Sequence, residues 1–437
     1  MLPETIQCLK AATRLFSQTD FSKDLRWLSS HGRASFRQAR RCFIVSRCLT
    51  AKSPRPRIPR ERVEIPGLEV ITYGERMHYV PGLAKPVNPH WERDYKDPRY
   101  YYAPPSHEMP LYKDEPCYVF HQRTSALEGV AQALWLTKTK MIPSLPPQLL
   151  SLAERASNQI PDQDERVQTA IKHACFWDTT EEKPDKTKYC NTLLLNLLHL
   201  CTTLQTSHSA IGRRNLVDSY SLMASWKRGN DLLQIRGQNG LLLSCMDPLS
   251  EVSGKEEVRG TADHILETLY PVSSTISLQK VHLYKEEVNC SGFTDDYPYP
   301  HAHTIYFLEG ADPRWKLRPE QFRAKMVMFA FGNALVRAHK LYGPQPQREL
   351  DHPITVQAVG TNGRFFHFLV FQLNTTDFSR DDGIKNQVWL ESDVVLYDFA
   401  KVRPLIKKKQ VQVPAGLSGY RPETFSKFLA LYLHGVL

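Results

Sequence analysis

The sequence lacks the features that would identify a membrane protein, a disulfide-linked protein or a common enzyme. It has no run of about eighteen apolar residues, the length that a membrane-spanning helix needs. Its nine cysteines are irregularly spaced and form no CxxC pair, which argues against a zinc ribbon or a disulfide framework. The GxxxxGKS/T, GxSxG and HExxH motifs are also missing. We therefore expect no membrane span, no cofactor, no small-molecule substrate and no catalytic residue.

Acidic residues are scarce at the N-terminus. Residues 25–60 contain ten lysines and arginines and no acidic residue. A segment that is basic, amphipathic and poor in acids is typical of a mitochondrial transit peptide. We predict that residues 1–50 form such a peptide, cleaved between about residue 25 and residue 50. The alternative is a disordered basic arm or a nuclear-type basic cluster.

Residues 51–113 are predicted to form an arginine- and proline-rich arm and then an extended strap rich in proline and tyrosine. Proline prevents regular helix and keeps such a segment extended. The aromatic residues of the strap suit either stacking on RNA or protein, or packing over the chain's own core. Six basic residues are candidates for RNA contact: Arg55, Arg57, Arg60, Lys407, Lys408 and Lys409. For the three lysines, a solvated strand end is the alternative.

The remaining residues, 114–437, are predicted to form an α+β body in which helices pack on a mostly antiparallel sheet. The pattern also allows two lobes, a helical one over 114–210 and a mixed one over 211–437. Basic and acidic residues are equal in number from residue 61 to the C-terminus, so the net positive charge lies entirely in the first sixty residues.

Apolar spacing and turn residues place the elements of this body. Helices are predicted over 125–138, 148–156, 164–177, 189–204, 262–270, 318–343 and from Pro422 onwards. Strands are predicted over 220–226, 232–236, 276–284, 304–308, 354–359 and 364–373. The last strand is apolar on both faces and should lie in the middle of a covered sheet. The Asn362-Gly363 pair before it suits a tight hairpin turn with two positive φ angles.

Two histidines offer an arrangement that resembles a metal site. His301 and His303 would face the same side of a strand, and Asp295 and Asp296 lie nearby in the sequence. This spacing would suit a metal-dependent hydrolase. The neighbouring prolines instead suggest a loop that enters a strand at Thr304, and spacing alone identifies no third ligand.

Several segments together closely resemble the family of protein thirty-seven of the vertebrate mitochondrial large ribosomal subunit. The similarity runs from about residue 63 to the C-terminus. Its segments are YGERMHYVP at 73–81, QALWLTKTK at 132–140, FHFLVFQLNTTD at 366–377, RPETF at 421–425 and KFLALYLHG at 427–435.

The resemblance implies a non-enzymatic structural component of the mitochondrial ribosome in the matrix. It also implies three kinds of partner: the ribosomal RNA of the large subunit, other mitoribosomal proteins, and above all the related large-subunit protein sixty-five as a heterodimer. Because the body has no net charge, it gains little affinity for RNA from counterion release. We therefore expect protein–protein contacts to hold the body in place. The alternatives are a free RNA-binding factor of the matrix and the metal-dependent hydrolase.

Overall fold

A computed structural model describes residues 105–176, 186–238, 240–283, 289–309, 316–401, 404–407, 410–413 and 415–436. The predicted transit peptide, the arm and the strap up to residue 104 lie outside the described residues. Within the described part of the chain, no helix is both long and apolar enough to cross a membrane.

The helices and strands of the described residues fall close to most of the predicted positions. The α-helices are α1 (Gly129–Leu136), α2 (Pro147–Glu154), α3 (Gln163–Phe176), α4 (Lys186–Thr202), α5 (Lys255–Arg259), α6 (Pro319–Tyr342) and α7 (Pro422–Leu433). The strands are β1 (Tyr112–His121), β2 (Thr139–Pro143), β3 (Arg214–Asp218), β4 (Ser221–Arg228), β5 (Asp231–Gln238), β6 (Leu241–Cys245), β7 (Gln279–Leu283), β8 (His301–Leu308), β9 (Ile354–Thr361), β10 (Phe365–Leu373), β11 (Asn386–Val395), β12 (Phe399–Lys401), β13 (Leu405–Lys407), β14 (Gln410–Val413) and β15 (Gly416–Ser418).

These strands form two main sheets and two small hairpin-like pairs. The larger sheet has seven strands in the order β2-β11-β10-β9-β8-β6-β3, and the smaller has four in the order β4-β5-β1-β7. The pairs β1–β5, β2–β11 and β8–β9 are parallel, whereas the other pairs within the two sheets are antiparallel. The prediction of an α+β fold with a mostly antiparallel sheet is confirmed for this part of the chain.

Strand β10 lies in the middle of the larger sheet and serves two hydrophobic cores. Its side chains alternate between the two faces of the sheet, as the pleat requires. Phe366, Phe368 and Val370 face one core. Leu369, Phe371 and Leu373 face the other. The prediction that this strand is covered on both faces is therefore confirmed.

Helix α6 lies between the two sheets. Pro319 occupies its first turn, where the missing N–H costs no hydrogen bond, and Gly343 ends the helix with a φ of 83°. Phe331 connects the two sheets, since its ring centroid is 4.9 Å from that of Trp226 in β4 and 5.9 Å from that of Phe371 in β10. A helix that contacts a sheet on both sides must be apolar over most of its circumference, which explains its many buried residues.

The opposite face of the larger sheet is covered by α2, α3, α4 and α7. The contact with α7 rests on Phe428, whose ring centroid is 6.0 Å from that of Tyr306 in β8 and 6.3 Å from that of Phe366 in β10. The apolar helix α4 packs into the same core through Leu193, Leu194 and neighbouring residues. The fold is therefore layered, with helices on the outside, the larger sheet, α6 and then the smaller sheet.

Gly360 of β9 allows α6 to approach the larger sheet closely. A Cβ atom at this position would lie 2.6 Å from Met326 Sδ and 2.6 Å from Phe322 Cε1, both on α6. We expect Gly360→Val to lower the free energy of unfolding by about 2 to 3 kcal/mol, because the added atoms overpack this contact. Urea denaturation of the purified chain measures the change.

A matched control for this substitution is Gly254→Ser. A Cβ atom at Gly254 would have no neighbour within 4 Å, and serine is favoured just before a helix such as α5. The control should leave stability unchanged or slightly raised. Equal urea midpoints for the Gly360 variant and the wild-type chain would contradict the tight contact.

The helix predicted over 262–270 is wrong. The structure has turns and irregular backbone there, after the short helix α5. Two of its large apolar residues face solvent, with Ile265 86% exposed and Tyr270 89% exposed, so the segment does not bury the continuous apolar face of an amphipathic helix. Lys385 Nζ also donates a hydrogen bond to the Ala262 carbonyl, at 3.2 Å. The start of this segment is therefore held partly by a tertiary contact.

The β9–β10 hairpin is confirmed, but its turn differs from the predicted one. Gly363 has a φ of 90°, whereas Asn362 is not among the residues with positive φ. The side chain of Asn362 closes the turn instead, because its Oδ1 accepts hydrogen bonds from the backbone N–H groups of Arg364 and Phe365. A wider turn of this kind needs one positive φ rather than two.

Several of the described strands were not predicted, among them β1, β2, β3, β6 and β11. Strands β1 and β2 lie within residues 114–210, apart from the first two residues of β1, so the segment predicted as a helical lobe contains strands as well. Both pair in parallel with strands much later in the sequence, β5 and β11. The division into two lobes at residue 210 stays a prediction.

Candidate functional site

Most of the predicted RNA-contacting residues lie outside the described residues: Arg55, Arg57, Arg60, Lys408 and Lys409. Lys407 is the last residue of β13, which pairs with β14. In this pair Ile406 lies opposite Val411, and each is 60% exposed. Two aliphatic side chains of this strand pair are therefore exposed to solvent, next to Lys407. Exposed aliphatic side chains of this kind suit a contact with another molecule more than a place in the core. RNA contact by the three lysines stays a prediction.

The two histidines of the candidate metal site point to different partners. They lie within β8, not in a loop before it, and the register with β6 shifts between Thr304 and Ala302. His301 Nε2 is 3.1 Å from Arg337 Nη2 on α6. His303 Nε2 donates instead to the His434 carbonyl, at 2.9 Å, beyond the end of α7. The irregularity in the strand thus separates two side chains that a regular strand would hold together.

The electrostatic surroundings of these histidines also oppose a bound cation. Burial, and then the charge of Arg337, lowers the pKa of His301 to about 4. Burial and the charge of Arg214 hold the pKa of His303 well below its usual value. Asp295 forms an ion pair with Lys340 at 2.7 Å. Within the described ranges, no group of three or more His, Cys, Asp or Glu residues could hold a metal ion, and the hydrolase alternative is not supported.

His303 belongs to a buried polar cluster that anchors the end of α7. Arg214 donates hydrogen bonds to the carbonyls of Tyr432 and His434, the latter at 2.7 Å. Gln357 Nε2 is 2.8 Å from His434 Nδ1. A cation at the C-terminal end of a helix compensates both the free carbonyls and the helix dipole. The chemistry of this cluster is therefore structural.

Basic side chains gather at one end of the smaller sheet. His121 at the end of β1 lies opposite Arg236 of β5, and the charges of Arg236, Arg123 and Lys325 all lower the pKa of His121, after burial itself. Burial lowers the pKa of Lys325 to about 8. We call Arg123, Arg236 and Lys325 the basic cluster. Sequence analysis did not find it, because each residue lies in a different element and parallel pairing brings β1 and β5 together.

The sequence was compared with known proteins. No family model matches it. The chain is 51% identical over 379 residues to Large ribosomal subunit protein mL37 of Gallus gallus, covering 86% of this chain and 87% of that protein. It is 50% identical over 390 residues to the protein of the same name from Rattus norvegicus, and 50% identical over 391 residues to that from Bos taurus. Both alignments cover 89% of this chain and 92% of the relative. Identity at this level over most of both chains means that this chain belongs to the family of Large ribosomal subunit protein mL37.

Proposed function

We propose that this chain is a non-enzymatic structural component of the large subunit of the mitochondrial ribosome. The observation that carries the proposal is the 50% identity to relatives named for that subunit, over 92% of the length of the relatives from Rattus norvegicus and Bos taurus. The acid-free basic segment over residues 25–60 supports import into mitochondria. We keep residues 1–50 as the proposed transit peptide, with cleavage between residues 25 and 50, and residues 51–113 as the proposed arm and strap.

The charge of the chain supports a particular mode of attachment. Residues 61–437 have no net charge, so few phosphates can be neutralised by the body as a whole. We propose that protein–protein contacts hold the body, above all with the related large-subunit protein sixty-five as a heterodimer partner. Ribosomal RNA is contacted locally, by the arm residues Arg55, Arg57 and Arg60, by Lys407, Lys408 and Lys409, and by the basic cluster.

Sucrose-gradient sedimentation of mitochondrial lysate tests this function. We expect a tagged full-length chain to sediment with the large subunit and to remain there when salt is raised from about 50 mM to about 200 mM. A protein held by six to ten phosphate contacts would instead lose about 10³- to 10⁵-fold in affinity over that range.

The same gradient distinguishes a component of the large subunit from a free RNA-binding factor. A small-subunit protein followed in the same gradient gives the control position. A chain that stays at the top of the gradient at both salt concentrations would contradict membership of the subunit. A chain that leaves the subunit only at the higher salt concentration would contradict attachment mainly through protein.

A further inference from the structure

A cavity of about 470 Å³ opens beside the last turns of α6, next to the start of β8 and β9. Its walls are mostly apolar and include Leu249, Leu341 and Ile354. Leu341 is 52% exposed and lies at the rim. A volume of this size accommodates one or two side chains of another protein.

Arg337 supplies the positive charge of this cavity and forms no ion pair with a carboxylate of the described residues. Its Nη2 donates to the ring of His301, at 3.1 Å, which is a neutral acceptor because burial lowers the pKa of His301. Its Nε is buried and finds no hydrogen-bond acceptor within the described part of the chain. A half-buried guanidinium without a counter-charge destabilises the folded chain unless an anion binds to it.

A second polar group in the same cavity is also unsatisfied. Thr355 on β9 is 3% exposed, and its hydroxyl has no hydrogen-bond partner among the described residues. The nearby carboxylates belong to other cations, since Asp247 pairs with Arg213 at 3.0 Å and Asp295 pairs with Lys340 at 2.7 Å. The cavity therefore combines an unneutralised cation, a free hydroxyl and apolar walls.

We propose that this cavity binds a carboxylate carried by an apolar segment of a partner protein. Guanidinium binds carboxylate through paired hydrogen bonds, and the free hydroxyl adds a donor to the same anion. The apolar walls then cover the residues beside the carboxylate. The partner side chain is an aspartate, a glutamate or a chain terminus next to aliphatic or aromatic residues. The inference rests on the proposed function in one respect only, which is that the partner protein belongs to the same ribosomal subunit.

An RNA phosphate fits this cavity less well. RNA presents a phosphate at every nucleotide, so a site for it spreads several cations over an open surface. Among the described residues that line the cavity, Arg337 is instead the one lysine or arginine, in a mostly apolar wall, and an arginine in such a setting is typical of a contact point between proteins.

Binding of short peptides to the purified full-length chain tests the chemistry directly. The probes are acetyl-Leu-Glu-Leu-amide and the matched acetyl-Leu-Gln-Leu-amide, with adenosine monophosphate as the phosphate probe. We expect the glutamate peptide to bind about tenfold more tightly than the glutamine peptide, which corresponds to one charge-assisted contact. Arg337→Met should abolish the difference, and Arg337→Lys should restore part of it. Equal binding of both peptides, or tighter binding of the nucleotide, would overturn the proposal.

A photocrosslinker at Leu341 tests the partner in the assembled subunit. We expect it to react with a protein segment that carries an acidic residue or a chain terminus beside apolar residues, and Arg337→Met should reduce that product about tenfold. The same crosslinker at Leu127, which is 54% exposed and does not line the cavity, is the control. A product with RNA, or one that Arg337→Met leaves unchanged, would overturn the inference.

Thermal stability distinguishes binding from a structural role of Arg337. Because the guanidinium lacks a counter-charge, Arg337→Met should leave the melting temperature of the free chain unchanged or raised. A lowered melting temperature would mean that the side chain serves the fold. Should the wild-type chain not sediment with the large subunit, the proposed function fails, whereas the peptide measurement still decides the chemistry of the cavity.

Discussion

Arg228→Met is expected to lower the free energy of unfolding by about 3 kcal/mol or more, because it removes the partner of several buried carbonyl groups. Arg228 is the last residue of β4 and is 2% exposed. Its Nε donates to the Trp135 carbonyl at 3.0 Å, and its Nη1 donates to the carbonyls of Phe378 at 3.1 Å and Arg380 at 3.3 Å. The side chain thereby connects the end of α1, the smaller sheet and the segment after β10.

Two further contacts hold this guanidinium. Asp381 forms an ion pair with Nη2, and the guanidinium carbon lies 4.5 Å from the ring centroid of Trp135. Burial lowers the pKa of Arg228 and the carboxylate of Asp381 opposes that shift. An arginine remains protonated in proteins even so, and the cation–π contact gains strength where water is excluded. Methionine would fill much of the volume and satisfy none of the carbonyls.

The matched control is Arg213→Met. Arg213 pairs with Asp247 at 3.0 Å, but the two side chains are 53% and 62% exposed. An exposed pair of this kind contributes about 0 to 1 kcal/mol. Urea denaturation should therefore separate the two variants clearly. Similar losses in both would mean that the carbonyl contacts of Arg228 add little to the ion pair itself.

The second large effect is a loss of stability in mild acid. Burial lowers the pKa of His301 and of His434 to about 4, and it holds that of His303 well below its usual value. Histidines of the unfolded chain take up a proton near pH 6.5, so the unfolded state binds more protons below that pH. Stability is therefore full above about pH 6.5 and falls as the pH approaches 4. The shift of His434 alone corresponds to a loss of about 2 kcal/mol by pH 5.

Urea midpoints at pH 7.5, 6 and 5 measure this dependence, since the first pH lies above the expected window of about 6.5 to 4 and the other two lie within it. His434→Gln should reduce the loss of unfolding free energy between pH 7.5 and pH 5 by about the contribution of one histidine. Glutamine keeps a polar group near Ser250 and Gln357, which contact the imidazole in the wild-type chain. His107→Gln is the control, because the side chain of His107 is 68% exposed. A flat stability between pH 7.5 and 5 would contradict the buried neutral state of these histidines.

The parts of the fold that could be predicted from sequence are those whose signal is local. The ends of α6 follow from Pro319 and Gly343, and the central position of β10 follows from its apolar residues on both faces. Two of the missed strands depend on distant partners, because β1 pairs in parallel with β5 and β2 pairs in parallel with β11. In the segment wrongly predicted as a helix, Ala262 accepts a hydrogen bond from Lys385, a contact that local apolar spacing does not reveal.

The candidate sites also depend on contacts between distant residues, which local sequence patterns do not reveal. The basic cluster joins residues from the turn after β1, from β5 and from α6, which no spacing rule connects. His301 and His303 gave a regular two-residue signal, yet a register shift in β8 sends them to Arg337 and His434. The charge of Arg337 was visible in the sequence, but the absence of a carboxylate beside its Nε within the described residues depends on packing.

The pairing of β2 with β11 has a consequence for how this chain can be made. Thr139 lies beside Asn386, so the edge of the larger sheet joins residues roughly 250 positions apart. A nascent chain emerging from its N-terminus must hold β2 unpaired until nearly all of the protein has been synthesised. Apolar surface stays open for that whole time, and such chains depend on chaperones to avoid aggregation. A premature stop before residue 386 would leave that sheet edge without its partner strand.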